Sequence, residues 1–235
     1  MCGIVGYTGF QDAYDIVING LRRLEYRGYD SAGIVLEDKN NNFEVKKTKG
    51  KVSDLVEISE SLKGTSHIGM GHTRWATHGV PSDRNSHPHV SNDGKIAIVH
   101  NGIIENYDTI KTMLIGKGFN FLSETDTEVL VNLIQYILDT QKVSFPEAVR
   151  YALNEVHGAY AITVMHKDNP GVLVVGRLGS PLAIGLGDKE YFIASDASPF
   201  VEFTKEAVYL EDGHMATISL ENGVDIRSIK ENEKI

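Results

Sequence analysis

The residue best suited to chemistry in this 235-residue sequence is its single cysteine, Cys2, which directly follows Met1. If Met1 is removed, Cys2 carries a nucleophilic thiol and a free α-amine on the same residue. Such an amine has an unperturbed pKa of about 7.7–8.0, so about a quarter of it is neutral near pH 7.4. A neutral amine can take the thiol proton, which is the N-terminal-amine mode of nucleophile activation. The alternative is an unremarkable thiol on a frayed terminus.

Asn101 and Gly102 are candidates for the groups that a thiol nucleophile would need beside it. Acyl transfer requires hydrogen-bond donors aimed at the developing oxyanion. The two residues follow the apolar run IAIVH, and the Asn side-chain amide and the Gly backbone N–H could converge on one point. Because Asn-Gly is also a strong turn signal, a plain turn is the favoured interpretation of the pair on its own.

Two charged residues have the chemistry to hold the ends of an amino acid. Arg74 lies where a predicted strand enters a loop of about 20 residues, and long loops of this kind are usually functional or disordered. Its guanidinium group can bind a carboxylate through two parallel hydrogen bonds. Asp126 begins a predicted helix and could bind an ammonium group, although stabilisation of the helix dipole explains it equally well.

A group of histidines raises the alternative of a metal site. Five of the nine histidines lie between residues 72 and 100, at His72, His78, His87, His89 and His100. No carboxylate or thiol pattern completes a set of ligands, so ordinary polar residues of a loop are favoured. We therefore predict no metal and no cofactor, and keep a non-enzymatic, His-rich metal-binding module as the alternative of a different class.

The predicted elements place strands at both ends of the chain and helices between them. Helices are predicted over 106–117, 126–139 and 145–155, and a capping-box pattern at Thr125–Glu128 begins the second. The runs before and after them alternate or are short and apolar, as strands are. This order predicts an α+β domain of antiparallel sheets covered by helices. The sequence has no GxGxxG or GxxxxGK[ST] motif, and so it offers no phosphate-binding loop.

Composition excludes several classes of function. Lys and Arg total 23 against 32 Asp and Glu, and the net charge is −9. An acidic chain without a basic block is unsuited to nucleic acid or to an anionic membrane surface. No apolar run reaches the roughly 18 residues of a membrane helix, and no secretory signal is visible. We therefore expect a cytoplasmic protein with neither nucleic acid nor membrane as partner.

Five sequence blocks occur together in the order that is typical of one family. They are MCGIVGY at the start, LRRLEYRGYDSAG at 21–33, HTRWATHG at 72–79, HNGIIEN at 100–106 and SETDTE at 123–128. With them the chain resembles the N-terminal glutaminase domains of the glutamine–fructose-6-phosphate aminotransferase (glucosamine-6-phosphate synthase) family. These are class II, N-terminal-nucleophile glutamine amidotransferases. The first block and the NG pair occur throughout that class, whereas the blocks at 21–33 and 72–79 point to the sugar-phosphate enzymes.

The resemblance implies a four-layer αββα sandwich of two antiparallel sheets, the Ntn-hydrolase fold. It implies that Cys2 attacks L-glutamine, with its own amine as the base, and that a γ-glutamyl thioester yields L-glutamate and ammonia. Asn101 and Gly102 would form the oxyanion hole.

The resemblance also implies residues that bind substrate. Arg74 and Asp126 would hold the carboxylate and ammonium ends of glutamine. Trp75 would gate the passage of ammonia to a second domain, and Arg27 would orient the N-terminal segment. The rest of the same loop is expected to line the site with Thr77, His78 and Gly79.

The resemblance covers residues 1–220, and the polar residues 221–235 are expected to begin a linker to a C-terminal sugar-isomerase part. Fructose 6-phosphate would bind only through that part, and the full-length enzyme would be a homo-oligomer. The alternatives within the class are the glutaminase domains of asparagine synthetase and of amidophosphoribosyltransferase.

Overall fold

Two antiparallel sheets lie face to face in this computed structural model, which describes residues 2–75 and 80–235. The strands are β1 (Gly3–Thr8), β2 (Ser31–Glu37), β3 (Phe43–Lys49), β4 (Ile68–Arg74), β5 (His89–Val90), β6 (Ile96–Ile104), β7 (Gly158–His166), β8 (Leu173–Leu178), β9 (Ala183–Gly187), β10 (Glu190–Ala194), β11 (Ala207–Tyr209), β12 (His214–Ser219) and β13 (Gly223–Ser228). The helices are α1 (Ala13–Leu24), α2 (Val52–Ser59), α3 (Tyr107–Gly116), α4 (Asp126–Gln141) and α5 (Phe145–Glu155). Short 3₁₀ turns follow α1 at Glu25–Arg27 and α2 at Glu60–Leu62.

The first sheet has the strand order β11-β9-β10-β1-β4-β2-β3, and the second has the order β13-β12-β8-β7-β6-β5. Three apolar layers hold the sandwich together. One lies between the sheets, one between the first sheet and α1 and α2, and one between the second sheet and α3, α4 and α5. The predicted four-layer αββα sandwich is thereby confirmed. Among the described residues, no helix has the length and apolarity to cross a bilayer.

The strands next to the site are apolar on both faces because both faces are covered. In β1, Ile4 enters the layer between the sheets, and Val5 packs toward α1. In β6, Ile98 packs against the helices, whereas Val99 faces the first sheet. Successive side chains of a strand point to opposite faces, so a doubly covered strand needs an almost continuous apolar run. This explains why the apolar runs of β1 and β6 predict strands.

The predicted capping box at the start of α4 forms only in part. The Thr125 hydroxyl accepts a hydrogen bond from the Glu128 N–H at 3.4 Å, as expected of an N-cap. The Glu128 carboxylate instead accepts the N–H groups of Leu122, at 2.8 Å, and Ser123, at 2.6 Å. It therefore fixes the segment before the helix, and this segment determines where Asp126 enters the site.

The predicted turn at Asn101-Gly102 is wrong, because β6 continues through both residues to Ile104. Gly102 pairs with Tyr160 of β7 and has a φ of +134°, a conformation open to glycine but strained for other residues. A Cβ at Gly102 would also lie 2.0 Å from the Ala159 carbonyl oxygen. The glycine therefore serves a close approach inside a sheet, with its backbone available to the site.

The linker predicted from residue 221 onward is wrong for residues 223–228, which form β13. This strand pairs with β12 along its whole length, and Ile229 after it is buried in the layer beneath the helices. β13 is an edge strand, and edge strands tolerate or require polar side chains. The polar composition that indicated a linker is therefore that of a sheet edge.

Candidate active site

A cavity of about 290 Å³ lies where the start of β1, the end of β4, the end of β6 and the N-terminus of α4 meet. The residues that line it come from segments far apart in sequence. Seven of the predicted site residues are among them: Cys2, Arg27, Arg74, Trp75, Asn101, Gly102 and Asp126. The predicted residues Thr77, His78 and Gly79, like Met1, lie outside the described residues.

Cys2 precedes β1 and is held in the cavity wall by the residue after β4. Its Sγ accepts a hydrogen bond from the Trp75 N–H at 3.1 Å and lies 3.4 Å from the Trp75 carbonyl oxygen, to which the thiol can donate. Burial raises the pKa of the Cys2 thiol above its usual value, although the contact with the Trp75 backbone opposes the rise. The thiol is therefore protonated at neutral pH and needs a base before it can attack.

The carbonyl group of Cys2 is fixed from two sides. Asn101 Nδ2 donates to the Cys2 carbonyl oxygen at 3.0 Å, and Arg27 Nε donates to it at 3.3 Å. The Arg27 guanidinium also pairs with Asp196 at 3.2 Å. Arg27 thus contacts the N-terminal segment directly, and its orienting role stays a prediction.

Ser195, which the sequence did not predict as a site residue, links the residues around Cys2 to the end of β10. Its hydroxyl accepts the Ile4 N–H at 2.8 Å, and it also accepts Asn101 Nδ2 at 3.0 Å. Its backbone N–H donates to the Ile4 carbonyl oxygen at 3.1 Å. No local signal could have found it, because Ser195 reaches the site through the pairing of β1 with β10, about 190 residues away along the chain.

Two of the charged side chains that line the cavity, Asp126 and Arg74, are buried. Asp126 is 4% exposed, and its Oδ2 accepts the Ile104 N–H at 2.7 Å, which joins the start of α4 to the end of β6. Arg74 is also 4% exposed and is the last residue of β4. Gly28 packs directly against the backbone of Arg74, where a Cβ at position 28 would lie 2.8 Å from the Arg74 carbonyl carbon. A cation and an anion therefore face one cavity from two elements.

Trp75 stands at the mouth of the cavity. Its side chain is 52% exposed and makes an edge-to-face contact with Tyr29, with ring centroids 6.0 Å apart. Its backbone holds the thiol, so the position of the ring and that of the nucleophile are coupled through one residue.

Four of the five clustered histidines form a buried group rather than part of an exposed loop. The rings of His72 and His87 stack at 4.2 Å, and His87 meets His89 edge-on at 4.8 Å. The backbone N–H of His100 donates to His87 Nδ1 at 3.2 Å, and a hydrogen bond of 3.0 Å joins His89 Nε2 to the Thr125 hydroxyl. Within residues 2–75 and 80–235, no three His, Cys, Asp or Glu residues are placed to hold one metal ion.

Burial controls the protonation of these histidines. It lowers the pKa of His72 to about 3 and holds the pKa values of His87 and His89 well below their usual value. All three are therefore neutral at physiological pH, when each ring has one nitrogen that donates and one that accepts.

We expect acid to destabilise the fold through these three histidines. Below pH ~6.5 these histidines bind protons in the unfolded chain but stay neutral in the folded chain, so the free energy of unfolding falls. Between pH 7.5 and 5.5 each buried histidine lowers it by about 1.4 kcal/mol, or about 4 kcal/mol in total. Urea unfolding at both pH values measures the fall. His89→Gln should lessen the fall by about 1.4 kcal/mol, the share of one buried histidine. An equal fall in His89→Gln and the wild type would contradict the assignment.

Comparisons with known proteins show the family of this chain. The family described as "Glutamine amidotransferase domain" matches residues 59–225. The chain is 53% identical over 219 residues to glutamine–fructose-6-phosphate aminotransferase of Bacteroides thetaiotaomicron, covering 93% of this chain and 36% of that protein. It is 47% identical over 230 residues to the enzyme of the same name from Thermus thermophilus, covering 98% of this chain and 37% of that protein. The chain thus spans little more than a third of the length of these relatives.

Among solved structures, the chain superposes on glutamine phosphoribosylpyrophosphate amidotransferase from B. subtilis with a TM-score of 0.82 and 28% identity. The match covers 98% of this chain and 50% of that one. Since the family match spans well over half of the sequence, and the solved relative shares the whole fold, the chain belongs to the glutamine amidotransferase domain family.

Proposed function

We propose that this chain is the glutaminase domain of a glutamine–fructose-6-phosphate aminotransferase and hydrolyses L-glutamine to L-glutamate and ammonia. The observation that carries the proposal is one cavity that contains the single thiol, an amide donor and two buried side chains of opposite charge. The relatives with 53% and 47% identity favour fructose 6-phosphate as the acceptor of the ammonia. The amidophosphoribosyltransferase, which would imply a ribosyl pyrophosphate as acceptor, is only 28% identical.

The first step is attack of the Cys2 thiol on the side-chain carboxamide carbon of glutamine. Because burial raises the pKa of the thiol, a base must remove its proton, and the α-amine of Cys2 is on the same residue once Met1 is gone. The amine takes the proton as the bond from Sγ to carbon forms, and the carbonyl oxygen becomes an oxyanion.

Asn101 Nδ2 and the Gly102 N–H are the proposed donors to that oxyanion. Donors already in place stabilise charge as it develops and need no reorganisation. Asn101 Nδ2 now donates to the Cys2 carbonyl oxygen and to Ser195. If one N–H turns to the oxyanion, the Cys2 carbonyl keeps Arg27 as a partner. Arg27 thereby holds the nucleophile's backbone during the reaction.

Collapse of the intermediate breaks the carbon–nitrogen bond. The protonated amine of Cys2 returns its proton to the leaving nitrogen, ammonia departs, and a γ-glutamyl thioester remains on Sγ. Water then attacks the thioester, with the amine again accepting a proton, and glutamate leaves as the thiol is restored. Trp75 at the mouth is the proposed gate for the departing ammonia.

Arg74 and Asp126 are proposed to bind the α-carboxylate and the α-ammonium group of glutamine. We expect Arg74→Lys to raise KM for glutamine by about 10- to 100-fold, because an ammonium cannot make the two parallel hydrogen bonds of a guanidinium. Steady-state glutamate release over a range of glutamine concentrations measures the change. Arg23→Lys, the same exchange at an ion pair of the surface, is the control and should keep KM. An unaltered KM in Arg74→Lys would contradict the assignment.

Glutamate release from glutamine by this chain tests the function as a whole. Mass spectrometry after rapid quenching should find a γ-glutamyl adduct on Cys2 in the wild type and none in Cys2→Ala. Absence of both glutamate and adduct from fully processed protein would refute the proposal.

The acceptor of the ammonia is tested on the full-length protein. Glucosamine 6-phosphate formed from glutamine and fructose 6-phosphate would support the proposed enzyme, whereas amination of a ribosyl pyrophosphate would support the alternative. Calorimetry should detect no fructose 6-phosphate binding to these 235 residues alone. Assembly of the full-length enzyme as a homo-oligomer and its cytoplasmic location stay predictions.

A further inference from the structure

His72 lies behind the proposed oxyanion donor, outside the set of described residues that line the cavity. It belongs to β4 and is 1% exposed. Its Nε2 lies 2.9 Å from Asn101 Oδ1 and 3.1 Å from the His100 carbonyl oxygen. Both neighbours are oxygens that only accept hydrogen bonds, so Nε2 must carry a proton.

The Asn101 amide is therefore oriented from both of its ends. Its Nδ2 faces the Cys2 carbonyl oxygen at 3.0 Å, and a carbonyl oxygen can only accept. Its Oδ1 faces His72 Nε2–H. Two independent neighbours thus require the same orientation, with the donor end of the amide toward the nucleophile.

The surroundings of His72 fix the ring and its tautomer. The ring stacks on His87 with an interplanar angle of 15°, which prevents it from tilting away from Asn101. Within the part of the chain that the structure describes, His72 Nδ1 has no hydrogen-bond partner. A buried N–H without an acceptor is costly, which favours a bare Nδ1 and the proton on Nε2. Because burial holds the pKa near 3, the ring stays neutral and keeps this tautomer at neutral pH.

We propose that His72 is a positioning residue of the oxyanion hole, an inference that rests on the proposed glutaminase function. Its Nε2–H holds Asn101 Oδ1 and keeps the Nδ2 donor turned toward the reacting carbonyl. His72 touches neither substrate nor nucleophile in this arrangement. Its loss should therefore lower kcat and leave the binding of glutamine nearly unchanged.

His72→Phe removes the donor and keeps a planar ring to stack on His87. We expect kcat to fall by about 10- to 100-fold, less than the 10²–10³ lost with an oxyanion donor itself, while KM stays close to that of the wild type. His72→Gln, which can present an amide N–H to Oδ1, should recover most of kcat. An unaltered kcat in His72→Phe, or no recovery in His72→Gln, would overturn the proposal.

A double-mutant cycle separates positioning from a general loss of structure. If His72 acts only through Asn101, His72→Phe should cost almost nothing further in kcat when Asn101 is already Ala. A damaged fold would instead lower kcat by the same factor in both backgrounds, and that additive result would overturn the proposal.

The wild-type protein provides a test that needs no variant to fold. In ¹⁵N-labelled protein at pH 7.5, the ring nitrogens of His72, assigned through the contact of the ring with the Asn101 side chain, should show the neutral tautomer protonated at Nε2. Protonation at Nδ1 instead would overturn the proposal, because Nε2 could not then donate to Asn101. Since this readout needs no activity, an inactive wild type would refute the glutaminase function alone.

Discussion

Protein that retains Met1 will bind glutamine but release glutamate about 10²- to 10⁴-fold more slowly than processed protein, the usual contribution of a positioned proton acceptor. With Met1 attached, the nitrogen of Cys2 is an amide and has no basic lone pair near neutral pH. The thiol, whose pKa is raised by burial, then stays protonated and is a poor nucleophile. Arg74 and Asp126 are untouched, so binding survives unless the extra residue obstructs the cavity.

Intact-mass spectrometry and a glutamate-release assay on the same samples measure this effect. Activity should rise in proportion to the fraction of chains that begin at Cys2. Cys2→Ser is the matched control, since its processed form keeps the amine and should still be nearly inactive, because a hydroxyl is a weaker nucleophile than a thiol. Full activity in a homogeneous preparation that retains Met1 would refute the mechanism.

Asn101→Ala is expected to lower kcat by about 10²- to 10³-fold, the usual loss of one oxyanion-hole donor and about 2.7–4 kcal/mol in activation free energy. Glutamine binding should change little, because the charged ends of the substrate meet other residues. The Gly102 N–H remains, so the variant should stay measurably active.

Steady-state kinetics and thermal unfolding of the same variant distinguish catalysis from structure. Asn106→Ala is the matched control, because Asn106 lies just after the end of β6 and also makes side-chain hydrogen bonds, but it lies outside the cavity lining. It should lose some stability and keep kcat. If Asn101→Ala loses stability and keeps kcat, its amide only holds the backbone of Cys2.

The elements next to the site were predictable because their signals are local. The apolar runs of β1 and β6 follow from burial of both faces. The ends of α4 and α5 were likewise predicted to within a few residues. Patterns of this kind depend on neighbours in sequence, and a single chain displays them fully.

The parts that could not be predicted depend on contacts between distant segments. Ser195 meets Asn101 only because β10 pairs with β1, and β1 lies across from β6 in the second sheet. The stacking of His72 on His87 joins β4 to the segment before β5. Asn101-Gly102 has the sequence of a turn but lies within a strand. The reason for the glycine is the close approach of the β7 backbone, which the sequence alone does not show. The candidate residues of the site were predicted from their chemistry and from the family resemblance, whereas the contacts that support them needed the structure.

The central strand of the first sheet is the first to be synthesised and cannot complete its pairing until much later. β1 needs β4, which ends at Arg74, and β10, which begins at Glu190. At about 5–20 residues per second, a ribosome takes about 10 to 40 s to reach β10. Aminopeptidase should therefore remove Met1 readily from ribosome-bound chains that stop before residue 190 and slowly from folded, Met1-bearing protein. The pairing of β1 with β10, which completes the cavity, would then also limit the time in which Met1 can be removed to free the α-amine of Cys2.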